Sequence, residues 1–187
     1  MTEPEFLELV QHNPVNLAIL ERLPELQLED TWLVSGSLFQ TVWNVLTGRP
    51  VTHGIKDYDI FYFDPDTSWE AEDAVIQRTK TLFRDLEADV EIRNQARVHL
   101  WYEDKHDISY PPLRTSCEGI DRFLAFANMV GLQPDQGGAV NFYVPGLGDM
   151  AAMHIKPNLT DNFRKDRYEE KCARWLGGWP ELTVEHS

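Results

Sequence analysis

The order of elements legible in the chain predicts a mixed α/β fold: helix, strand, helix, strand, helix, strand, then a largely helical remainder. Three observations carry this expectation. The apolar run Trp32-Leu33-Val34 is followed at once by Ser35-Gly36-Ser37 and then by apolar residues at helical spacing from Leu38 to Leu46. The aromatic run Tyr58-Asp59-Ile60-Phe61-Tyr62-Phe63 is strongly β-prone. Ala71, Val75, Leu82 and Leu86 then share one helical face ahead of a third short strand, Val90-Glu91-Ile92. The expected division is an α/β core over residues 1–110 and a mostly helical portion over 111–187 packed on it.

In chain order, the first helix is expected over Pro14 to Leu23, with Asn13 as N-cap, Pro14 at the first helical position and Pro24 as the stop. Gly48 stands where the C-terminal cap of the Leu38–Leu46 helix belongs, and Arg49 to Lys56 reads as a loop. The main strand is expected over Asp57–Phe63. Thr67 with Glu70 resembles a capping box opening a helix that ends near Glu87. Arg97–Tyr102 fits either strand or helix, since Val98, Leu100 and Tyr102 alternate. After the break at Pro111-Pro112, Thr115 with Glu118 reads as a second capping box. It would open a helix carrying Ile120, Phe123, Leu124, Ala127 and Val130 and closed by Gly131. Val140–Val144 reads as a strand or extended arm, and Leu147–Met153 and Asp161–Leu176 as helices before Gly177-Gly178.

Composition excludes several classes. A chain of 187 residues buries about 70% of its unfolded surface, and six Trp, six Tyr and nine Phe are ample core material, so disorder is excluded. With 17 Lys+Arg against 31 Asp+Glu, the net charge of −14 repels phosphate backbones and disfavours duplex nucleic acid as a partner. Cys117 and Cys172 are too few for a disulfide framework and lack zinc-site spacing. No run reaches the roughly 18 apolar residues of a membrane helix, and the acidic Met1–Glu8 stretch is no signal peptide. The expectation is a reduced, cytoplasmic protein without a membrane partner, in which the sequon Asn158-Leu159-Thr160 goes unused. The histidines show no HExxH spacing, and P-loop, dinucleotide-binding and nucleophile-elbow sequences are all missing.

The chemistry concentrates in three places. Asp57 and Asp59 are two apart at the start of a strand, so both carboxylates project to one side. Like charges so placed repel, and a hard divalent cation that takes one or two protein carboxylates plus substrate phosphates relieves them; a solvated loop–strand junction is the alternative. Gly36-Ser37 lies between strand and helix, where open amides and the helix dipole suit a phosphate, or where Ser37 simply caps a turn. Glu91, between Val90 and Ile92, projects opposite its apolar neighbours, either outward or as a third acid beside the pair. Arg93, Asn94 and Arg97 follow it and are candidates to hold phosphate or to form ion pairs. Lys56 stands beside Asp57 as phosphate neutraliser or as a solvated charge. The basic run Arg164, Lys165, Arg167, Lys171 and Arg174 is diluted by Asp166, Glu169 and Glu170 and reads as a mixed helix surface.

The arrangement of strand, Gly36-Ser37, helix, Asp57-x-Asp59 on a strand and Glu91 on a later strand resembles the nucleotidyltransferase superfamily of the DNA polymerase β type. The Thr47–Lys56 loop makes the interval between Ser37 and Asp57 longer than is usual there. Val42-Trp43-Asn44, Lys56-Asp57-Tyr58-Asp59, Tyr62-Phe63-Asp64 and the stretch from Arg93 to Tyr102 are similar to a group of bacterial nucleotidyltransferase-like proteins. That likeness continues through Ile120-Asp121-Arg122-Phe123 and Lys156-Pro157-Asn158. The resemblance implies a mixed sheet flanked by helices. It also implies transfer of an NMP group from an NTP to an acceptor hydroxyl, with release of pyrophosphate. Asp57, Asp59 and Glu91 are the implied catalytic residues and ligands to two Mg²⁺ ions, or to Mn²⁺. Gly36, Ser37, Lys56, Arg93, Asn94 and Arg97 are the implied nucleotide-binding set. The acceptor is expected to be a small molecule or a protein side chain. Two alternatives stay open: a non-catalytic nucleotide-binding or regulatory module on the same fold, and Asp89 instead of Glu91 as the third acid.

Overall fold

The computed structural model describes all residues, 1–187. Two helices open the chain, α1 (Glu3–Gln11) and α2 (Pro14–Arg22). The acidic N-terminal stretch is therefore helical, closed by a capping box in which Thr2 and Glu5 exchange side-chain and backbone hydrogen bonds. Asn13 caps α2 through Val15 N, as its position predicts. Then follow β1 (Trp32–Val34), α3 (Gly36–Leu46), β2 (Tyr58–Tyr62), α4 (Trp69–Leu82), β3 (Val90–Asn94) and α5 (Val98–His106). Ser68, not Thr67, caps α4, and the ambiguous stretch near Arg97 resolves as helix.

The later half departs from the expected run of helices. Helix α6 is only Ser116–Ile120, and the chain then turns into two further strands, β4 (Gly131–Pro134) and β5 (Val140–Tyr143). The periodicity of Ile120, Phe123, Leu124, Ala127 and Val130 is real, but no helix propagates through it. The Asn158 side-chain amide donates to the carbonyls of Asp121 and Phe123, at 2.7 and 2.9 Å, and the Asn158 N–H takes that of Leu124. These donors compete with the amides of the next helical turn for the same carbonyls. Helices α7 (Leu147–Ala151) and α8 (Lys165–Gly178) follow, with the short parallel pair β6 (His154–Ile155) and β7 (Thr183–Val184).

The main sheet has five strands in the order β3-β2-β1-β4-β5, so it crosses residue 110 and joins both halves of the chain. β2 and β3 are parallel and the remaining pairs antiparallel. One face, with Leu33, Tyr58, Ile60, Tyr62 and Ile92, enters the main core. The opposite face carries Trp32, Val34, Asp59, Phe61, Glu91 and Arg93. At its Trp32 and Val34 end it is covered by Ile120 and Met129. Helix α8 is fixed against α3 by an aromatic cluster: Trp43 lies 5.5 Å from Trp179, and Phe39 lies 5.6 Å from Trp175. That packing decides where the polar face of α8 points.

Candidate active site

Strand register sets the acids. β2 and β3 run parallel with Asp59 paired to Glu91 and Phe61 to Arg93, so all four side chains share the face opposite the main core. Asp59 is half-buried. Burial first, and then the charges of Asp57 and Glu91, push its carboxyl up to about 7, against the pull of Lys171 and Arg93. Strand register sets Glu91 beside Asp59, while Asp57 stands one residue before β2. Asp89 is exposed ahead of β3 and meets β2 only through its carbonyl, which accepts the Tyr58 N–H at 2.8 Å. Glu91 is thus the acid in register with Asp59. Its carboxylate accepts from Arg93 Nη2 at 3.1 Å.

Lys171 reaches this corner from α8. Burial and the nearby Arg174 lower its pKa, while Asp59 and Asp57 oppose that shift. A half-buried ammonium beside these carboxylates is a built-in counter-charge. Its sequence context concealed it, yet Arg164, Arg167 and Lys171 stand three and four residues apart and so fall on one helical face.

The Gly-Ser turn adds a second group. Ser35 leaves β1 in a strained backbone conformation (φ 53°, ψ −108°) and starts α3. No protein acceptor takes the amides of Gly36 and Ser37, and Gly36 is half-buried, so the α3 N-terminus carries unpaired donors of the kind that suit an anion. Ser37 itself is fully buried and its Oγ has no partner, while its carbonyl accepts from Thr41 Oγ1 and Asn16 Nδ2.

Other expected residues have structural partners. Arg97 is ion-paired with Glu72 and lies over the Trp69 ring at 5.5 Å, in a groove beside α4 that Asp89, Glu91 and Arg93 also line. Asn94 is buried, holding the Asp64–Asp66 turn and capping the turn at Gln95. Lys56 is exposed and forms no ion pair.

Beside the acids opens a cleft of about 830 Å³ between the sheet, α5 and α8. Phe61, Arg93 and Lys171 form the end nearest Asp59, and Arg122, Arg164 and Arg167 lie on the α8 side. Six Lys or Arg line it against two Asp, in a chain whose net charge is −14. Asn128, 4% exposed, borders it with a side-chain amide that makes no hydrogen bond. No group of three or more His, Cys, Asp or Glu converges tightly enough to ligate a metal with these side-chain positions. The fit to a divalent cation is that of Mg²⁺, which needs only one or two carboxylates when substrate phosphates and water complete its shell. Burial, and then the neighbouring charges of Asp57 and Glu91, hold the Asp59 carboxyl above the usual carboxylate range, and a cation there would relieve the second of these influences.

Comparison with known proteins agrees with this architecture. In structure the chain is similar to a protein whose NMR structure reveals a CCA-adding enzyme head domain. The TM-score is 0.78 at 25% identity, covering 100% of this chain and 97% of that one. It is also similar to a tRNA-processing enzyme with CTP, at TM-score 0.47 and 14% identity, over 89% of this chain and 43% of that one. A tRNA nucleotidyltransferase complexed with a primer tRNA and an incoming ATP analog gives 0.45 and 14%, over 89% and 46%. This chain therefore spans less than half the length of those two proteins. No curated protein matches the sequence. The family described as Nucleotidyltransferase matches residues 21–184, and the chain belongs to that family.

Proposed function

We propose that the chain transfers an NMP group from an NTP to an acceptor hydroxyl, with Asp57, Asp59 and Glu91 holding Mg²⁺. One observation carries the reading: Asp59 and Glu91 are paired across parallel strands, and the next residues on that sheet face, Phe61 and Arg93, line a cationic cleft in an otherwise acidic chain. The similarity to a CCA-adding enzyme head domain supports NMP transfer as the reaction class. When bound, Mg²⁺ or Mn²⁺ supplies charge neutralisation at the triphosphate and acidifies a coordinated hydroxyl.

The chain's own groups do the rest. The unpaired amides of Gly36 and Ser37 bind phosphate oxygens, and Lys171 and Arg93 neutralise charge on the leaving side. Glu91 takes the acceptor proton. The hydroxyl oxygen then attacks the α-phosphorus, and the bond from that phosphorus to the bridging oxygen breaks. Pyrophosphate leaves with the electron pair, and Glu91 returns its proton to water. Catalysis here is positioning and charge placement, not covalent participation.

The absence of three tightly converged acids favours a second reading, a non-catalytic nucleotide-binding module. Both readings require Mg²⁺-dependent NTP binding at the acids. Calorimetry of the NTPs with and without Mg²⁺ tests it, using Asp57→Asn and Asp59→Asn. Binding that needs Mg²⁺ and is lost in both variants is expected. Wild-type binding in either variant sinks the assignment.

A further inference from the structure

The cleft extends well beyond what a triphosphate at the acids needs. Arg164 and Lys171 are seven residues apart, about 10 Å along α8 at 1.5 Å per residue. Lys171 serves the Asp59 end, which leaves Arg167, Arg122 and Lys105 around the far end. Arg164 is committed there as a strut: its Nη1 donates to the His106 carbonyl at 3.2 Å and its other nitrogens hold Asp166. Arg167 has only one exposed partner, Glu170, at 3.3 Å. Arg122 lies over the Tyr110 ring at 5.1 Å and uses one nitrogen on Asn162.

The same end is walled by half-buried aromatic rings. Tyr102 packs on Tyr110 with centroids 4.3 Å apart, Trp101 adjoins Tyr102, and the Lys105 ammonium sits 5.4 Å over Trp101. His106 lies among these cations; burial, then Lys105, Arg167 and Arg164, keep its pKa below the ordinary value. A wall of rings beside several cations recognises a flat apolar body carrying an anion. The volume, about 830 Å³, suits a small molecule.

The geometry points to the far end of this cleft, with Arg167, Arg122 and Lys105 beside Trp101 and Tyr102, as the acceptor subsite for a small aromatic compound bearing a hydroxyl and a phosphate group. The assignment rests on the nucleotide reading above, because the acids supply the other substrate. An RNA 3′ end is the competing occupant. The overall charge of −14 opposes it, since cations outside the cleft are too diluted to track a backbone.

The test uses the whole chain and phenyl phosphate as probe, with inorganic phosphate and a short single-stranded RNA as comparators. Affinities are measured by calorimetry with and without a non-hydrolysable NTP analogue and Mg²⁺. Phenyl phosphate is expected to bind more tightly than inorganic phosphate. It should keep its affinity within about twofold when the analogue is bound, and lose about tenfold in Arg167→Gln and in Lys105→Gln. Both side chains are exposed, and melting curves verify that each variant folds. Full competition with the analogue, equal binding of inorganic phosphate, or no loss in either variant overturns the proposal. So does tighter binding of the RNA through the same residues. If the analogue fails to bind while phenyl phosphate does so with the expected sensitivity, the anion subsite stands and the nucleotide assignment falls.

Discussion

Asp59 is where repulsion, burial and function meet. Its folded-state pKa near 7 against an ordinary 3.8 means that the folded chain holds this proton more tightly than the unfolded one. The stability it contributes is therefore full below about pH 4 and falls as pH rises towards 7. Asp59→Asn removes the ionisation. Its gain in stability over wild type should be small below about pH 4, rise steadily between pH 4 and 7, and reach on the order of 1–2 kcal/mol by pH 8, after allowing for solvent. Melting curves in EDTA across that range check the trend; a gain that shrinks with pH contradicts it. Glu91 carries the complementary expectation. Glu91→Gln keeps shape but accepts no proton, so Mg²⁺–NTP binding should stay within a few-fold while transfer slows about 10²–10⁴-fold. Unchanged turnover in single-turnover kinetics removes Glu91 from the site. That Asp59 and Glu91 share a sheet face was legible from alternation alone, whereas Asp57 falls just before β2. Lys171 and Arg167 were not legible, because the acidic residues between them disguise a cationic face that only the packing of Trp175 against Phe39 orients.

At the scale of elements, the loop between Gly48 and Asp57 is held by the far end of the chain. Asn44 Nδ2 donates to the carbonyls of Val51 and His53, at 3.0 and 2.9 Å. Asn44 Oδ1 in turn accepts the Trp179 indole N–H at 2.9 Å. Gly54, at φ 75°, passes so close to the Trp179 ring that a Cβ would lie 2.5 Å from it. This lock fixes the approach to Asp57. Trp179→Phe leaves the Asn44 oxygen buried without its donor, which should cost about 1 kcal/mol and lower Tm by roughly 2–4 °C. The same variant should weaken Mg²⁺–NTP binding; a stability loss with unchanged binding would detach the lock from the site. The sequence showed this segment only as a loop, since the Trp179 that fixes Asn44 lies more than a hundred residues away. Strands β1 to β3 and helices α2 to α4 were readable because local periodicity and caps agree with the fold. The stretch after α6 was misread because Asn158, a distant residue, competes for the carbonyls that a helix would have used.

Across the whole molecule, charge is segregated. A net −14 surrounds a cleft where six cations face two carboxylates, so anionic small molecules are drawn to one place and long polyanions are repelled elsewhere. Random duplex DNA is expected to show no binding at micromolar protein in 0.15 M salt; salt-sensitive micromolar binding in an anisotropy titration contradicts that partner assignment. No helix is long and apolar enough to cross a membrane. The most direct test of the central claim is pyrophosphate release from an NTP panel with phosphorylated aromatic acceptors, comparing wild type with Asp59→Asn in Mg²⁺ and in EDTA. Release that requires both Mg²⁺ and Asp59 is expected. Equal release from Asp59→Asn, or no release by a wild-type chain that demonstrably binds Mg²⁺–NTP, would contradict the claim.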